Sequence, residues 1–382
     1  MNRIYFDNAA TTQMDPKVID VMMNSMQTIY GNPSSTHQFG RSAKSAIEKA
    51  RRNIAKQFNA KASEIVFTAG GSEADNMILH NAVTNLGVER IVTSKIEHHA
   101  VLNTIIELCD CHSMVEVIYV DLLSDGSIDL IHLETILNSS NKKALVSLMY
   151  INNEIGNILD VRNVSSLCKA SDALFHSDSV QAIGHYNLDV QELGIDFLVA
   201  SAHKFHGPKG VGFAYFKKGF GIKPILTGGK QERGARAGTE NVHGILGMEK
   251  AIELVYEDLD SEIKYIGSLK QYFIEQLQLN FPDIAFNGNT TDKINNTYSI
   301  LNVRFPMNDS MLLFTLDIKG IAASGGSACQ SGSAAGSHVL KAISPYKESK
   351  KTSIRFSISK FNTKEDIDST IIVLKEAILV KS

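Results

Sequence analysis

Four cysteines in 382 residues are too few to form a disulfide scaffold. They are no better as a metal site. Cys109 and Cys111 are one residue apart, whereas zinc spacing needs two to four residues and a second ligand pair. No apolar run approaches the ~18 residues that cross a bilayer. Residues 1–7 turn polar too soon for the apolar stretch of a signal peptide. No Lys/Arg run stands out, and a net charge of −3 gives no reason to expect nucleic acid or an anionic membrane as a partner. Internal repeats and low-complexity linkers are missing too. These absences leave a cytoplasmic globular protein, without direct nucleic-acid or membrane partners and without a metal of its own, as the expectation.

What remains is an ordinary globular composition, 43% hydrophobic and 21% charged, sufficient for a core that needs no staple. At ~150 residues per domain, the length predicts two domains. Short β-rich runs fall at 65–67, 91–93, 115–120, 145–150, 173–175, 197–199 and 211–216. Between them apolar residues recur at three-and-four spacing, as in Ala46, Ile47, Ala50, Ile54 and Phe58. This alternation predicts an α/β fold whose large domain has a mostly parallel seven-stranded sheet covered on both faces. Past about His243, residues Ile252, Val255, Leu259, Ile263, Ile266, Leu269 and Phe273 keep one helical phase and read as a single long helix. Strands near 299–303 and 353–356 then predict a smaller α+β domain. The boundary falls near residue 258, so residues 14–258 make the large domain, and residues 1–13 and 259–382 the small one.

Three turns concentrate reactive or anion-binding residues. Thr68-Ala69-Gly70-Gly71-Ser72-Glu73 follows a strand and opens a helix. Its glycines would let a ligand approach the backbone, and free N–H groups at a helix start favour an anion such as phosphate. It is neither GxGxxG nor a Walker loop, and alone it reads sooner as a plain turn with Ser72 as N-cap. Asp178 falls at the carboxyl end of a strand, where open α/β sheets bind ligands. Ser201-Ala202-His203-Lys204 lies at a second such end, followed by His206. Each is unremarked alone; together they outline a site. Cys168 shares an apolar phase with Val164 and Leu167 and reads as core, and Cys109 and Cys111 as helix ends. Cys329 sits between Ser324 and Gly332 in a run too polar and glycine-rich for a packed thiol, so it is either incidental or a reactive nucleophile.

Several motifs occur in order: Asp7-Asn8-Ala9-Ala10-Thr11-Thr12, Gly31-Asn32-Pro33-Ser34-Ser35-Thr36-His37, Glu97-His98, Asn152-Asn153-Glu154-Ile155-Gly156, Ser201-Ala202-His203-Lys204 and Arg233-Gly234-Ala235-Arg236-Ala237-Gly238-Thr239. With Ser327-Ala328-Cys329 and Ser353-Ile354-Arg355-Phe356, they closely resemble the cysteine desulfurases of the NifS/IscS type. Those belong to the class V aminotransferase group, on the fold type I scaffold of pyridoxal-phosphate enzymes. The resemblance runs from Asp7 to about residue 375.

It implies that Lys204 carries the aldehyde of pyridoxal 5′-phosphate and that Asp178 faces the pyridine nitrogen. A carboxylate ~4 Å from a pyridinium gains ~4 kcal/mol at an effective dielectric of ~20, enough to keep the ring an electron sink. Gln181 would donate to the phenolic oxygen, Asn153 would contact cofactor or substrate, and His98 would stack on the ring as an acid/base group. Gly71, Ser72, Ser201 and His203 would hold the phosphate. The partner subunit's Thr239 would join them, which implies a homodimer. Arg355 would fork onto the substrate carboxylate.

The implied reaction converts L-cysteine to L-alanine, leaving its sulfur as a persulfide on Cys329 for an acceptor protein, an iron–sulfur scaffold or a tRNA-thiolation enzyme. Cys329 could touch a cluster transiently. Two departures bear on delivery. Ser333-Ala334-Ala335-Gly336 is the chain's own, and the sequence stops at Ser382, without the tail that housekeeping relatives use to dock the scaffold. Selenocysteine lyase, a class V aminotransferase and a non-catalytic platform are the competing expectations. Cys329 argues against the aminotransferase, and Lys204, Asp178, His98 and Cys329 together argue against the platform.

Overall fold

The computed structural model describes residues 3–325 and 336–379. Strand β1 (Ile4–Tyr5) precedes the seven strands of the main sheet. These are β2 (Ile65–Thr68), β3 (Arg90–Thr93), β4 (Glu116–Tyr119), β5 (Ala144–Ser147), β6 (Leu174–Asp178), β7 (Phe197–Ser201) and β8 (Gly212–Phe216). They lie in the order β2-β8-β7-β6-β5-β3-β4, and only β8 runs antiparallel to its neighbours. The continuous apolar runs arise because both faces are covered. Ile65, Phe67, Val146, Leu198 and Ala200 enter one core, while Val66, Leu145, Phe197 and Val199, one position out of step, enter the other.

A second body gathers around β9 (Ala285–Phe286), β10 (Ile300–Arg304), β11 (Ile321–Ala322) and β12 (Ser353–Ser357). Strands β12, β10 and β9 form an antiparallel sheet, and β11 pairs in parallel with β1. Its core joins Leu301, Val303, Ile354 and Phe356 to helix Leu259–Asn280 and to Phe6 from the chain's start. Residues 4–6 therefore pack with strands some 300 positions away in sequence.

The expected single long helix is two, Val242–Glu257 and Leu259–Asn280, separated at Asp258 (φ −117°, ψ 17°). The first buries Ile245, Met248, Ile252 and Val255 against the main sheet, and the second buries Ile266, Phe273 and Leu277 in the second core. One non-helical residue preserves the spacing of apolar positions, so periodicity cannot reveal the break. Ser72 is likewise not an N-cap: Gly70 caps helix Gly71–Thr84, and Ser72 lies inside its first turn. Cys168 is 2% exposed and packs in the core, while Cys109 and Cys111 end helix His99–Cys111. Among the described residues no helix is long and apolar enough to cross a membrane.

Phe273 is fully buried between Phe6 and Phe356, with ring centroids 5.4 and 5.0 Å away. Phe273→Ala should lower the unfolding free energy by about 3–5 kcal/mol in urea denaturation. A loss under about 1 kcal/mol would show that this aromatic cluster does not hold the second core.

Candidate active site

The carboxyl ends of β6 and β7 open on a cavity of about 220 Å³. Helix Gly71–Thr84 brings Gly71 and Ser72 to its wall, and the loop after β3 brings His98. Asn153 comes from the loop after β5, and Asp178 and Gln181 come from the end of β6 and just beyond. Ser201 ends β7, the following turn supplies His203 and Lys204, and Arg355 enters from β12 of the second body. Two expected residues lie elsewhere. Thr239 is exposed beside a separate hollow of about 170 Å³ shared with Thr68 and Ala69, and Cys329 lies outside the described residues.

Ala9 and Ala10, in a segment that the sequence marked only as a motif, form one side of the cavity. The Lys204 amine donates to the carbonyls of Ala9 (2.7 Å) and Ala10 (2.9 Å), and the Gln181 amide donates to Ala9 at 2.9 Å. Thr12 closes the segment onto the Lys204 turn, donating to the His203 carbonyl and accepting from His206 N–H at 2.7 Å. The Arg355 side chain, 1% exposed, donates to Asp7 Oδ1 (2.8 Å) and to the Asn153 carbonyl (2.7 Å). Its Nε–H has no partner among the described residues. An arginine carries five N–H donors, so capacity for a carboxylate remains after both bonds.

Burial dominates the electrostatics. His98 caps helix His99–Cys111 with Nδ1, which accepts from Ala100 N–H at 3.1 Å. The proton of its neutral ring therefore sits on Nε2. Burial pulls the His98 pKa below the usual histidine range, against the opposing pull of Asp178. Burial, then Lys204 and Lys209, bring the His203 pKa down to about 4, so its ring is held toward the neutral form. Asp178 accepts from Val180 N–H at 3.0 Å, and burial raises its pKa despite His98 and Lys204. Glu97, held by Ser94 Oγ at 2.7 Å, is pushed up to about 8 by burial.

The residues fit pyridoxal 5′-phosphate. At the anion end, Gly70 has φ +155°, and a Cβ on Gly71 would meet Val180 Cγ2 at 2.9 Å. Only glycines leave the helix start open to a phosphate there. Ser201 and His203 flank that opening, while an amine and a buried carboxylate wait deeper in the cavity.

His206 is 4% exposed, its Nδ1 lies 2.8 Å from the Gln13 carbonyl, and burial brings its pKa down to about 4. Lys360, His185 and Asp15 also act on it, the first two downward and the last upward. The unfolded chain takes up this proton near pH 6.5, whereas the native state refuses it until about 4. Wild-type stability should therefore fall as pH drops through that window, by roughly 3 kcal/mol from this residue. The stability of His206→Asn relative to wild type should rise correspondingly between pH 7 and pH 4. Parallel pH profiles in denaturant melts would refute the assignment.

The aminotransferase class-V family matches residues 4–370. "Cysteine desulfurase IscS" of Dictyoglomus turgidum is 42% identical over 98% of this chain and 94% of its own length. The protein of that name from Clostridium botulinum is 40% identical over 99% and 95%. Among solved structures, a "NifS-like protein" superposes with a TM-score of 0.90 at 35% identity, covering all of both chains. The "NifS-like protein from Rickettsia africae" gives 0.88 at 31% identity over 98% and 99%. With a cavity suited to pyridoxal phosphate, a fold type I architecture and relatives of this identity over nearly its whole length, the chain belongs to the cysteine desulfurases of the pyridoxal-phosphate-dependent class-V aminotransferase family.

Proposed function

We propose that the protein converts L-cysteine to L-alanine and holds the released sulfur as a persulfide on Cys329. The observation that carries this is the meeting in one cavity of the Lys204 amine, the Asp178 carboxylate and the Arg355 guanidinium. Ser324 and Arg355 also exchange backbone hydrogen bonds of 3.2 and 2.7 Å, so the segment leading to Cys329 departs beside the substrate-carboxylate arginine.

Bound pyridoxal phosphate supplies an aldehyde and a cationic, electron-withdrawing ring. Lys204 would offer the amine for that aldehyde, and Asp178 would hold a negative charge for the ring nitrogen. Gly71, Ser72, Ser201 and His203 would take the phosphate, and Gln181 would donate to the phenolic oxygen. Asn153 steadies Arg355, which receives the substrate carboxylate through its remaining N–H groups. His98 keeps its proton at Nε2, available to substrate atoms. The Cys329 thiolate then attacks the substrate sulfur. An S–S bond forms as the Cβ–S bond breaks, and uptake of one proton completes alanine.

The working unit in this proposal is a homodimer in which the partner subunit's Thr239 completes the phosphate shell. Met23, Met26, Tyr30 and Phe39 support it, because they are exposed apolar side chains on or near helix Pro16–Thr28. Such a patch suits an interface. That helix packs on Val242–Glu257, where Ser25 Oγ lies 3.0 Å from His243, four residues past the exposed Thr239. The sulfur passes to an acceptor protein in the cytoplasm, an iron–sulfur scaffold or a tRNA-thiolation enzyme.

Supplied with L-cysteine and a reductant, the purified protein should release sulfide and alanine in equal amounts. Borohydride should fix the cofactor onto Lys204, and Lys204→Ala should abolish that label. Cys329→Ala should keep the cofactor's visible band but lose turnover by roughly 10³-fold or more. Mass spectrometry after brief exposure to cysteine should find the added sulfur on Cys329 alone. Native sulfide release by Cys329→Ala would sink the persulfide mechanism.

A further inference from the structure

Behind Asp178 lies a buried acid that no step above uses. Asp75, in helix Gly71–Thr84, is 1% exposed, and its Oδ1 has no hydrogen-bond partner among the described residues. Facing that oxygen at 3.4 Å is Nε2 of His176, a fully buried residue of β6 whose Nε2 is equally unmatched. The other ring nitrogen of His176 lies 2.9 Å from Ser147 Oγ at the end of β5. Thr93 Oγ1 in turn donates to the Ser147 carbonyl at 2.9 Å. A buried row thus runs Thr93, Ser147, His176, Asp75. On its cavity side, one oxygen each of Asp75 and Asp178 and a ring nitrogen of His98 lie within 4.8 Å of one another.

Two carboxylates this close in a dry site cannot both carry charge cheaply. Asp178 has the surroundings of the anion, with the Val180 N–H at 3.0 Å and the electrostatic pull of His98 and Lys204. Among the described residues, Asp75 Oδ1 has no such donor. Burial, Asp178 and Glu97 all hold its proton on. A protonated carboxyl both donates and accepts, so it can meet either tautomer of the His176 ring, whereas a carboxylate can only accept. We propose that Asp75 is a positioning residue that remains a neutral carboxyl, faced by a His176 ring that Ser147 orients, and confines the charge of the pair to Asp178 opposite the ring nitrogen. This rests on the pyridoxal-phosphate reading of the cavity.

Wild type, Asp75→Asn and Asp75→Ala are compared as full-length proteins saturated with pyridoxal phosphate. Asparagine is isosteric and permanently neutral, so D75N should bind the cofactor within about threefold of wild type and keep the pH midpoint of its visible band. D75A should bind it at least tenfold more weakly or shift that midpoint. Unfolding provides a readout independent of turnover. An acid that keeps its proton when folded loses stability as pH rises above its unfolded pKa of ~4. The wild-type unfolding constant should therefore grow relative to that of D75N as pH rises from about 5, by up to tenfold per pH unit. Glu97, Asp178, His98, His176 and Lys204 surround the site in both proteins, and their direct titrations are common to the ratio. A pH-independent ratio, or D75N as impaired as D75A, would overturn the inference while leaving the cofactor reading intact. If D75A does not fold, the pH ratio of D75N to wild type decides alone. A wild type without the visible band would overturn both readings.

Discussion

The contact to which the rest of the cavity is registered is the Lys204 amine on the carbonyls of Ala9 and Ala10. An amine donating to two backbone acceptors is held at one point, and the segment bearing those acceptors cannot shift without moving it. That segment is tied on both sides. Thr12 hydrogen-bonds the Lys204 turn, and Asp7 pairs with Arg355 across the cavity. Amine and guanidinium therefore keep a fixed separation although they belong to different bodies. For a substrate with one carboxylate and one reacting centre, that separation sets its orientation.

Charge in the cavity is rationed by burial. Three acids, Asp75, Glu97 and Asp178, lie close together, and desolvation raises all their pKa values. The imidazoles of His98, His176 and His203 are pushed the opposite way, toward neutrality. Most of the site's titratable groups thus act as neutral hydrogen-bonding groups. Formal charge is left to the residues that have a charged ligand group to meet.

The main sheet was legible because strands covered on both faces become uninterrupted apolar runs, and all seven occur where those runs fall. The break at Asp258 was invisible, since one residue out of helical geometry leaves the apolar phase unchanged. Site residues at strand ends could be picked out because that is where an α/β sheet presents side chains. Asp75 gave no such signal. In Ser72-Glu73-Ala74-Asp75-Asn76, four polar residues share one helical stretch, and only packing tells which one turns inward. Asp7 was legible as part of a motif but not as the partner of Arg355, because nothing local links residues 348 positions apart.

That separation also orders events in time. A ribosome delivers Asp7 and, 348 residues later, Arg355. The strands that lead to Asp178 and to the Lys204 turn are complete by residue 216 and can pair while the rest is still being made. The cavity cannot close until β12 arrives, because Phe6 lacks its core partners and Asp7 its guanidinium until then. Long-range contacts of this kind form late, after the entropy of closing the intervening chain has been overcome. A chain not yet extended through β12 would thus display a formed sheet with an unformed binding site, and capture of the cofactor would report that β12 has been made.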